Sequence, residues 1–297
     1  MKVFVTGATG WVGSAIVQLL LGAGHQVLGL VRSEANAQAL AAAGATPHRG
    51  ALNDLDSLRR GAEQADGIIH TAFGLDLADI AKSSTEEQQA IEAFGEVLAG
   101  SDRPLIVTSG LGFAPVGQVL QEDSALSEIE ILGFPRAPER AVQAIVARGV
   151  RATVVRLPRT VHGAGEQHGF LPMLMRVARE KGVSAYVGDG QNLWPAVHRL
   201  DAARVFCLAL EHGAQGGPFH AVAEQGVPFK AIAEAIGQHL GLPIVSQSPE
   251  VAAAHFGPIA LFVGGNGPAS SAQTRARLGW QPTQPDLIMD LATYDVK

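Results

Sequence analysis

Short β-branched runs alternate with helix-length amphipathic stretches through the first half of the chain. Val3-Phe4-Val5, Gln26–Val31, Ile68-Ile69-His70, Leu105-Ile106-Val107 and Ala152–Leu157 read as buried strands, apolar on both faces. Between them, residues 11–21, 33–43, 54–65, 76–98 and 138–148 place apolar side chains at helical spacing. Each strand is separated from the next by a helix-length segment, which excludes hairpin connections. The pattern therefore predicts right-handed βαβ units, and an α/β fold with a doubly wound parallel sheet covered by helices on both faces.

The rhythm changes after Leu157. Glycine, proline, histidine and aromatic residues crowd positions 158–198, with helices expected over 171–181 and 200–211. Phe219-His220-Ala221-Val222 reads as a strand returning to the sheet, followed by helices over Phe229–Leu240 and 249–255. The expected organisation is a sheet domain over 1–157 with a returning strand near 218–223. A smaller substrate-binding lobe is expected from 158–217 and 224–297. No internal repeat interrupts this reading.

Composition narrows the function classes. Among 297 residues, 47% are hydrophobic and 17% charged, a core-forming balance. The net charge of −6 argues against a general nucleic-acid binder, which needs a basic excess. Cys207 is the single cysteine, which excludes an intrachain disulfide framework and a cysteine-cluster metal site. It also fits a reducing compartment. No apolar run approaches the roughly 20 residues that span a bilayer, and residues 1–13 lack an export-signal pattern. A cytoplasmic protein without membrane or nucleic-acid partners is expected.

The 35 glycines have a sharper meaning at one place. Val5-Thr6-Gly7-Ala8-Thr9-Gly10-Trp11-Val12-Gly13 follows the first strand and opens the first helix, the setting of a dinucleotide-binding turn. Gly7 permits the tight turn, Gly10 the backbone's approach to a pyrophosphate, and Gly13 close packing of helix on strand. Thr9 and the amides of Gly10, Trp11 and Val12 would face the phosphates at the positive end of the helix dipole. Residues 14–31 contain no Asp or Glu to hold a free ribose diol, and the second strand ends at Arg32-Ser33. A guanidinium and a hydroxyl suit a 2′-phosphate, which predicts NADP(H) over NAD(H). Arg32 as a merely solvated residue is the alternative.

These residues resemble the short-chain dehydrogenase/reductase superfamily, in its extended, epimerase/dehydratase-like or 3β-hydroxysteroid-dehydrogenase-like branch. The resemblance adds His70-Thr71-Ala72 to the glycine turn as the fourth-strand segment beside the cofactor. Val107-Thr108-Ser109-Gly110 resembles the strand end that delivers a catalytic hydroxyl, and residues 156–163, RLPRTVHG, resemble the R-x-P-x-x-V-Y-G segment. Residues 194–203, WPAVHRLDAA, and Leu278-Gly279-Trp280-Gln281-Pro282 complete the likeness. It implies that Thr71, Ala72, Phe73, Pro158 and Val161 line the nicotinamide half of the cofactor site, and Ala51 and Leu52 the adenine half. The family's usual aspartate is an alanine at position 51.

The chain departs from the family at its catalytic dyad. Family members use Tyr-x-x-x-Lys on one helix face, with the tyrosine passing a proton to the carbonyl oxygen. Here the only tyrosines are Tyr186 and Tyr294, neither followed four residues on by lysine. Alignment through Glu139-Arg140 puts Ile131 and Pro135 at the dyad positions. The likeness is therefore to an atypical subgroup that keeps the cofactor fold without the standard tetrad.

Without the dyad, the proton must come from elsewhere. Ser109 and His162 are the candidate catalytic residues, with Thr108 and His70 behind them. His162 stands where the family has the tyrosine of V-Y-G, and an ordinary imidazole suits proton donation near neutrality. A structural role for His162 is an equal alternative, and His70 and His198 read as structural. Arg136 and Arg140 can stabilise negative charge but cannot give up a proton. Leu111, Phe113, Phe170, Met173, Tyr186, Trp194, Phe256 and Phe262 fall on segments expected to reach the strands' carboxyl edge. That apolar set predicts a small neutral carbonyl or related compound as substrate and no metal. The leading reading is an NADP(H)-dependent reductase with non-standard proton delivery. The rival is a non-catalytic NADP(H)-binding sensor or scaffold, and monomer and homodimer both remain open.

Overall fold

The computed structural model describes residues 1–73, 80–115, 117–124 and 137–294. The chain first winds β1 (Lys2–Thr6), α1 (Trp11–Gly22), β2 (Gln26–Val31), α2 (Glu34–Ala42), β3 (Thr46–Arg49) and α3 (Leu55–Glu63). It continues through β4 (Gly67–His70), α4 (Ile80–Leu98), β5 (Leu105–Gly110), α5 (Ala137–Val146) and β6 (Ala152–Leu157). All six strands join one parallel sheet, which β10 (Phe219–His220) extends to seven in the order β10-β6-β5-β4-β1-β2-β3. This is a Rossmann sheet, with its reversal of strand order beside β1.

Burial on both faces explains the unbroken apolar strands. Val3 and Val5 point into one core layer with Ile16, Leu20, Phe206 and Leu210, while Phe4 points into the other with Leu58, Phe94 and Ile145. The elements expected from periodicity form, with ends shifted by a few residues. Positions 76–79 of the expected fourth helix lie outside the described residues. β3 has no counterpart among the expected strands because its sequence, Thr-Pro-His-Arg, lacks an apolar run; pairing with β2 alone makes it an edge strand.

Beyond β6 the chain forms β7 (Thr160–His162), α6 (Phe170–Lys181), β8 (Ser184–Val187), β9 (Leu193–His198) and α7 (Arg199–Glu211). After β10 come β11 (Glu224–Pro228), α8 (Phe229–Leu240), β12 (Ile244–Gln247), α9 (Pro249–Phe256), α10 (Ala260–Gly264), α11 (Ala272–Leu278) and α12 (Leu287–Leu291). β11, β9 and β7 make a three-stranded sheet, and β12 pairs with β8. A separate apolar core, including Leu174, Trp194, Phe229 and Phe256, fills this part.

Two segments cross the expected boundary. α7 lies within 158–217 yet packs on α1, placing Phe206 and Leu210 in the sheet's core. Trp280 joins the same core and donates its indole N–H to the Asp201 carbonyl at 3.1 Å. The Asp201 carboxylate accepts from the amides of Thr283 and Gln284 at 3.0 Å each. The family-like segments 194–203 and 278–282 are thus one joint, brought together by burial.

Candidate cofactor and substrate site

The glycine turn after β1 is shaped by contacts that leave no room for side chains. Gly7 has φ +69°, and a Cβ there would lie 2.7 Å from Thr71 Oγ1 and 2.8 Å from the Ala72 amide nitrogen. A Cβ on Gly13 would lie 2.0 Å from the Gly7 carbonyl oxygen. Both are below any feasible contact, so this turn requires glycine at both positions. β4 closes the other side: Thr71 Oγ1 donates to the Thr6 carbonyl at 2.8 Å, and Thr6 Oγ1 accepts from the Ala72 amide at 3.3 Å.

The same turn leaves a helix terminus open. Gly10 caps α1 without a side-chain hydrogen bond, and the first turn has no acidic residue. The Gly10 amide, expected to face the phosphates, instead donates to the Gly7 carbonyl at 2.8 Å. The first intrahelical bond is from the Ser14 amide to the Gly10 carbonyl, so the amides of Trp11, Val12 and Gly13 have no partner further back in α1. Thr9 and Gly10 are exposed, while Trp11 and Val12 are half-buried. The neighbouring sheet helices spend a first amide on a side chain, Ser33 accepting from Asn36 in α2 and Asp54 from Ser57 in α3, whereas α6, α8, α9 and α11 also start without such a cap. The cradle fits a pyrophosphate, with its backbone close and its positive dipole end free.

At the end of β2, Arg32 is exposed, and Ser33 both caps α2 and stands exposed beside it. The nearest following carboxylate, Glu34, is paired with Arg49. Ala51 and Leu52 are half-buried just beyond β3, and Phe73 is exposed past β4.

Around β7 the structure assembles groups that local sequence does not connect. Trp11 Nε1 donates to the Val161 carbonyl at 2.8 Å, and the Arg199 guanidinium lies 4.3 Å from the Trp11 ring centre. His162 Nδ1–H donates to Asp290 at 2.8 Å, with Glu224 3.8 Å from Nε2. Tyr294 accepts from the Gly163 amide at 3.3 Å and donates to Glu166. Burial pushes the His162 imidazole below its ordinary value, opposed by Asp290. It raises the Glu166 carboxyl to about 7, opposed by the Tyr294 hydrogen bond.

These contacts bear on the two catalytic candidates differently. His162 has no accessible surface, and its Nε2 makes no hydrogen bond among the described residues. An enclosed imidazole cannot hand a proton directly to a substrate; its place suits a strut for the β7 segment. Ser109 is next to last in β5 with 7% exposure, opposite Arg156 of β6. Arg156 is committed to structure, with both Glu139 oxygens at 2.8 and 3.0 Å and the Glu122 carbonyl at 2.9 Å. His70 shares a 2.7 Å hydrogen bond with Thr6 Oγ1, and burial lowers it to about 4, so it is neutral. His198 caps α7 by accepting from the Leu200 amide. Ile131, Pro135 and Arg136 lie outside the described residues.

The expected pocket residues separate into groups. Phe113, Phe170, Trp194 and Phe262 form one chain of ring contacts, with centres 6.1, 5.1 and 5.3 Å apart in the order Phe113–Phe262–Phe170–Trp194. Leu111 follows β5 and packs with Leu120 and Val222. Met173 and Tyr186 are half-buried against the second core, whereas Phe256 is buried within it beside Phe229. Sequence reasoning missed Arg159 in the middle of this region, along with Glu166, Asp290 and Tyr294. Arg159 had one available signal, a second cation inside the R-x-P segment; the others come from folding over more than 120 residues.

Among the described residues, no helix is long and apolar enough to cross a membrane, and no group of three metal-binding side chains converges.

A family described as NAD(P)H-binding matches residues 7–188. The chain is 50% identical to an uncharacterized protein of Schizosaccharomyces pombe, covering 99% of each. It is 42% identical to an uncharacterized protein of Saccharomyces cerevisiae, covering 100% of each. The mouse epimerase family protein SDR39U1 is 27% identical over 89% of each chain. The human SDR39U1 structure with NADPH superposes with a TM-score of 0.71 at 20% identity, over 98% of each chain. The glycine cradle, the strand order and these likenesses agree: the chain belongs to the NAD(P)H-binding short-chain dehydrogenase/reductase superfamily, in its extended, epimerase/dehydratase-like branch.

Proposed function

We propose that this protein is a cytoplasmic NADP(H)-dependent oxidoreductase that reduces a small, largely apolar carbonyl or related compound. The observation that carries the reading is the open, uncapped N-terminus of α1 beside exposed Arg32, with Glu34 drawn away by Arg49. The amides of Trp11 and Val12 with Thr9 would hold the pyrophosphate, the Gly10 amide being bonded to the Gly7 carbonyl, and Arg32 with Ser33 would hold the 2′-phosphate. Thr71, Ala72, Pro158 and Val161 would border the nicotinamide. Structures of similar fold hold NADPH in one case and NAD in others, which supports a nicotinamide cofactor, while the preference for NADP(H) rests on Arg32.

When bound, the nicotinamide supplies a hydride. The chain's own part is to orient the carbonyl and stabilise charge developing on its oxygen. Ser109, near the carboxyl end of β5, is assigned that contact. His162 acts as a positioning residue, holding Val161 and Gly163 through its bond to Asp290. Stopped-flow NADPH oxidation against carbonyl, imine and quinone compounds tests the reading. Turnover that Ser109→Ala lowers at least tenfold is expected; turnover untouched by both Ser109→Ala and His162→Ala removes these assignments.

The second reading, a non-catalytic NADP(H)-binding sensor or scaffold, draws on the enclosure of His162 and the missing Tyr-x-x-x-Lys. Tight NADPH binding without turnover of any compound in that panel favours it.

A further inference from the structure

The aromatic chain at the carboxyl edge of β5 and β6 surrounds a cation. Arg159 lies 4.2 Å from the Phe113 ring centre and 5.6 Å from that of Trp194. Its guanidinium donates to the carbonyls of Phe262 and Gly265 at 3.3 and 3.1 Å, and weakly to that of Gly112 at 3.5 Å. None of these acceptors carries a charge, and no carboxylate pairs with Arg159 among the described residues. Removal from water lowers it to about 10, so it remains a cation at neutral pH. A half-buried guanidinium whose partners among the described residues are all neutral keeps its charge unneutralised, which favours an anionic partner.

Trp194 backs the same cluster: it is fully buried, so its ring supports Arg159 from behind and does not itself reach solvent. The backbone is cut away to admit these groups. A Cβ on Gly267 would lie 2.4 Å from Arg159 Nη2, and one on Gly265 would lie 1.9 Å from Phe113. Asn266 between them fixes the loop by accepting from the Leu193 amide at 2.7 Å. Arg159 itself is only half-buried, so part of it faces solvent. It stands two residues from Val161, whose carbonyl is tied to the cofactor helix by Trp11.

We infer that Arg159, stacked on Phe113 and Trp194 with Phe262 and Phe170 beside those rings, is a binding site for an anionic oxygen group on an otherwise apolar substrate, most simply a carboxylate. The inference deepens the reductase reading and rests on it for the word substrate. It also refines the neutral compound expected from the apolar residues alone: the rings take the body, and the guanidinium takes one acidic end. A purely structural Arg159, strapping three carbonyls, has no reason to distinguish an acid from its ester.

Calorimetric titration with benzoylformate and with its methyl ester, in the absence and presence of NADPH, tests the site. The two probes share an aryl ring and a ketone and differ in one charge. Charge-assisted hydrogen bonds predict that the acid binds about 10- to 100-fold more tightly. Arg159→Gln should bring the ratio close to one, whereas Arg159→Lys, which keeps the charge, should retain part of the preference for the acid. Equal affinities in the unaltered protein, or no binding of the acid, overturn the proposal without any variant having to fold. NADPH binding is read in the same titrations. Failure of NADPH to bind with the acid preference intact removes the reductase reading alone, and NADPH binding without acid preference removes this site alone.

Discussion

The indole N–H of Trp11 donates to the carbonyl of Val161 at 2.8 Å, joining the start of the cofactor helix to a strand 150 residues later. Trp11 also carries the Arg199 guanidinium on its face. Trp11→Phe keeps a ring for Arg199 and removes the hydrogen bond. It should lower stability by about 1 kcal/mol, read from the urea midpoint, and weaken NADPH binding because Val161 is no longer held. An unchanged midpoint and unchanged NADPH affinity would show that this bond does not couple the two segments.

Gly13→Ala places a methyl group 2.0 Å from the Gly7 carbonyl oxygen, where only backbone can yield. The cradle must open or α1 must slide from β1. NADPH binding, followed by the cofactor's fluorescence, should fall at least tenfold, with a stability loss of about 1–3 kcal/mol typical of overpacking. Gly22→Ala, at the far end of the same helix with nothing among the described residues within 4 Å of the added methyl, is the matched control and should change little.

Arg32→Ala tests cofactor preference. Loss of charge-assisted contacts to a 2′-phosphate, each about 1.5–3 kcal/mol, should weaken NADPH by at least tenfold and leave NADH nearly unaltered. Comparable dissociation constants for the two cofactors in the unaltered protein, unmoved by the substitution, sink the NADP assignment.

Stability should decline as pH rises from about 6.5 to 8. Burial raises the Glu87 carboxyl to about 8, so the folded state holds a proton that the unfolded state has released above about 4.5. Over that interval Glu87 costs stability as pH increases, at up to about 1.4 kcal/mol per pH unit. His70 and His220, both lowered to about 4, act in the opposite direction, adding stability up to their unfolded value of 6.5 and nothing above it. The Glu87 contribution is therefore least opposed above 6.5. Glu87→Gln should flatten that limb of the denaturation–pH curve; an unaltered slope removes Glu87 as its source.

The sheet was legible because its signals are local. An apolar triplet such as Val3-Phe4-Val5 can be satisfied only between two helical layers, and Gly7, Gly10 and Gly13 are tied to a turn with one geometry. β3 escaped notice because an edge strand needs no apolar run. The enclosure of His162 was illegible for a different reason. Its partners, Asp290 and Glu224, lie 128 and 62 residues away, and neither is marked by spacing or motif. A motif can say that a histidine occupies the family's tyrosine position, but only the packing of α12 decides which way that position is used. Arg159 combines both cases: visible as a charge inside the R-x-P segment, but without meaning until Phe113, Trp194 and Phe262 arrive around it.

α12 is a helix of five residues, too short to persist by its own hydrogen bonds. Its hold on the body comes through Leu287 and Leu291 in the second core, the Leu287 amide on Glu224, and Asp290 on His162. Detachment of this one turn would wet the imidazole, restore its ordinary basicity, and leave β7 held by its pairing with β9 and by Trp11. The rate at which amides 160–163 exchange with deuterated solvent would then follow a motion beginning near the chain's opposite end, so the cofactor-side strand keeps time with a segment it meets only through folding.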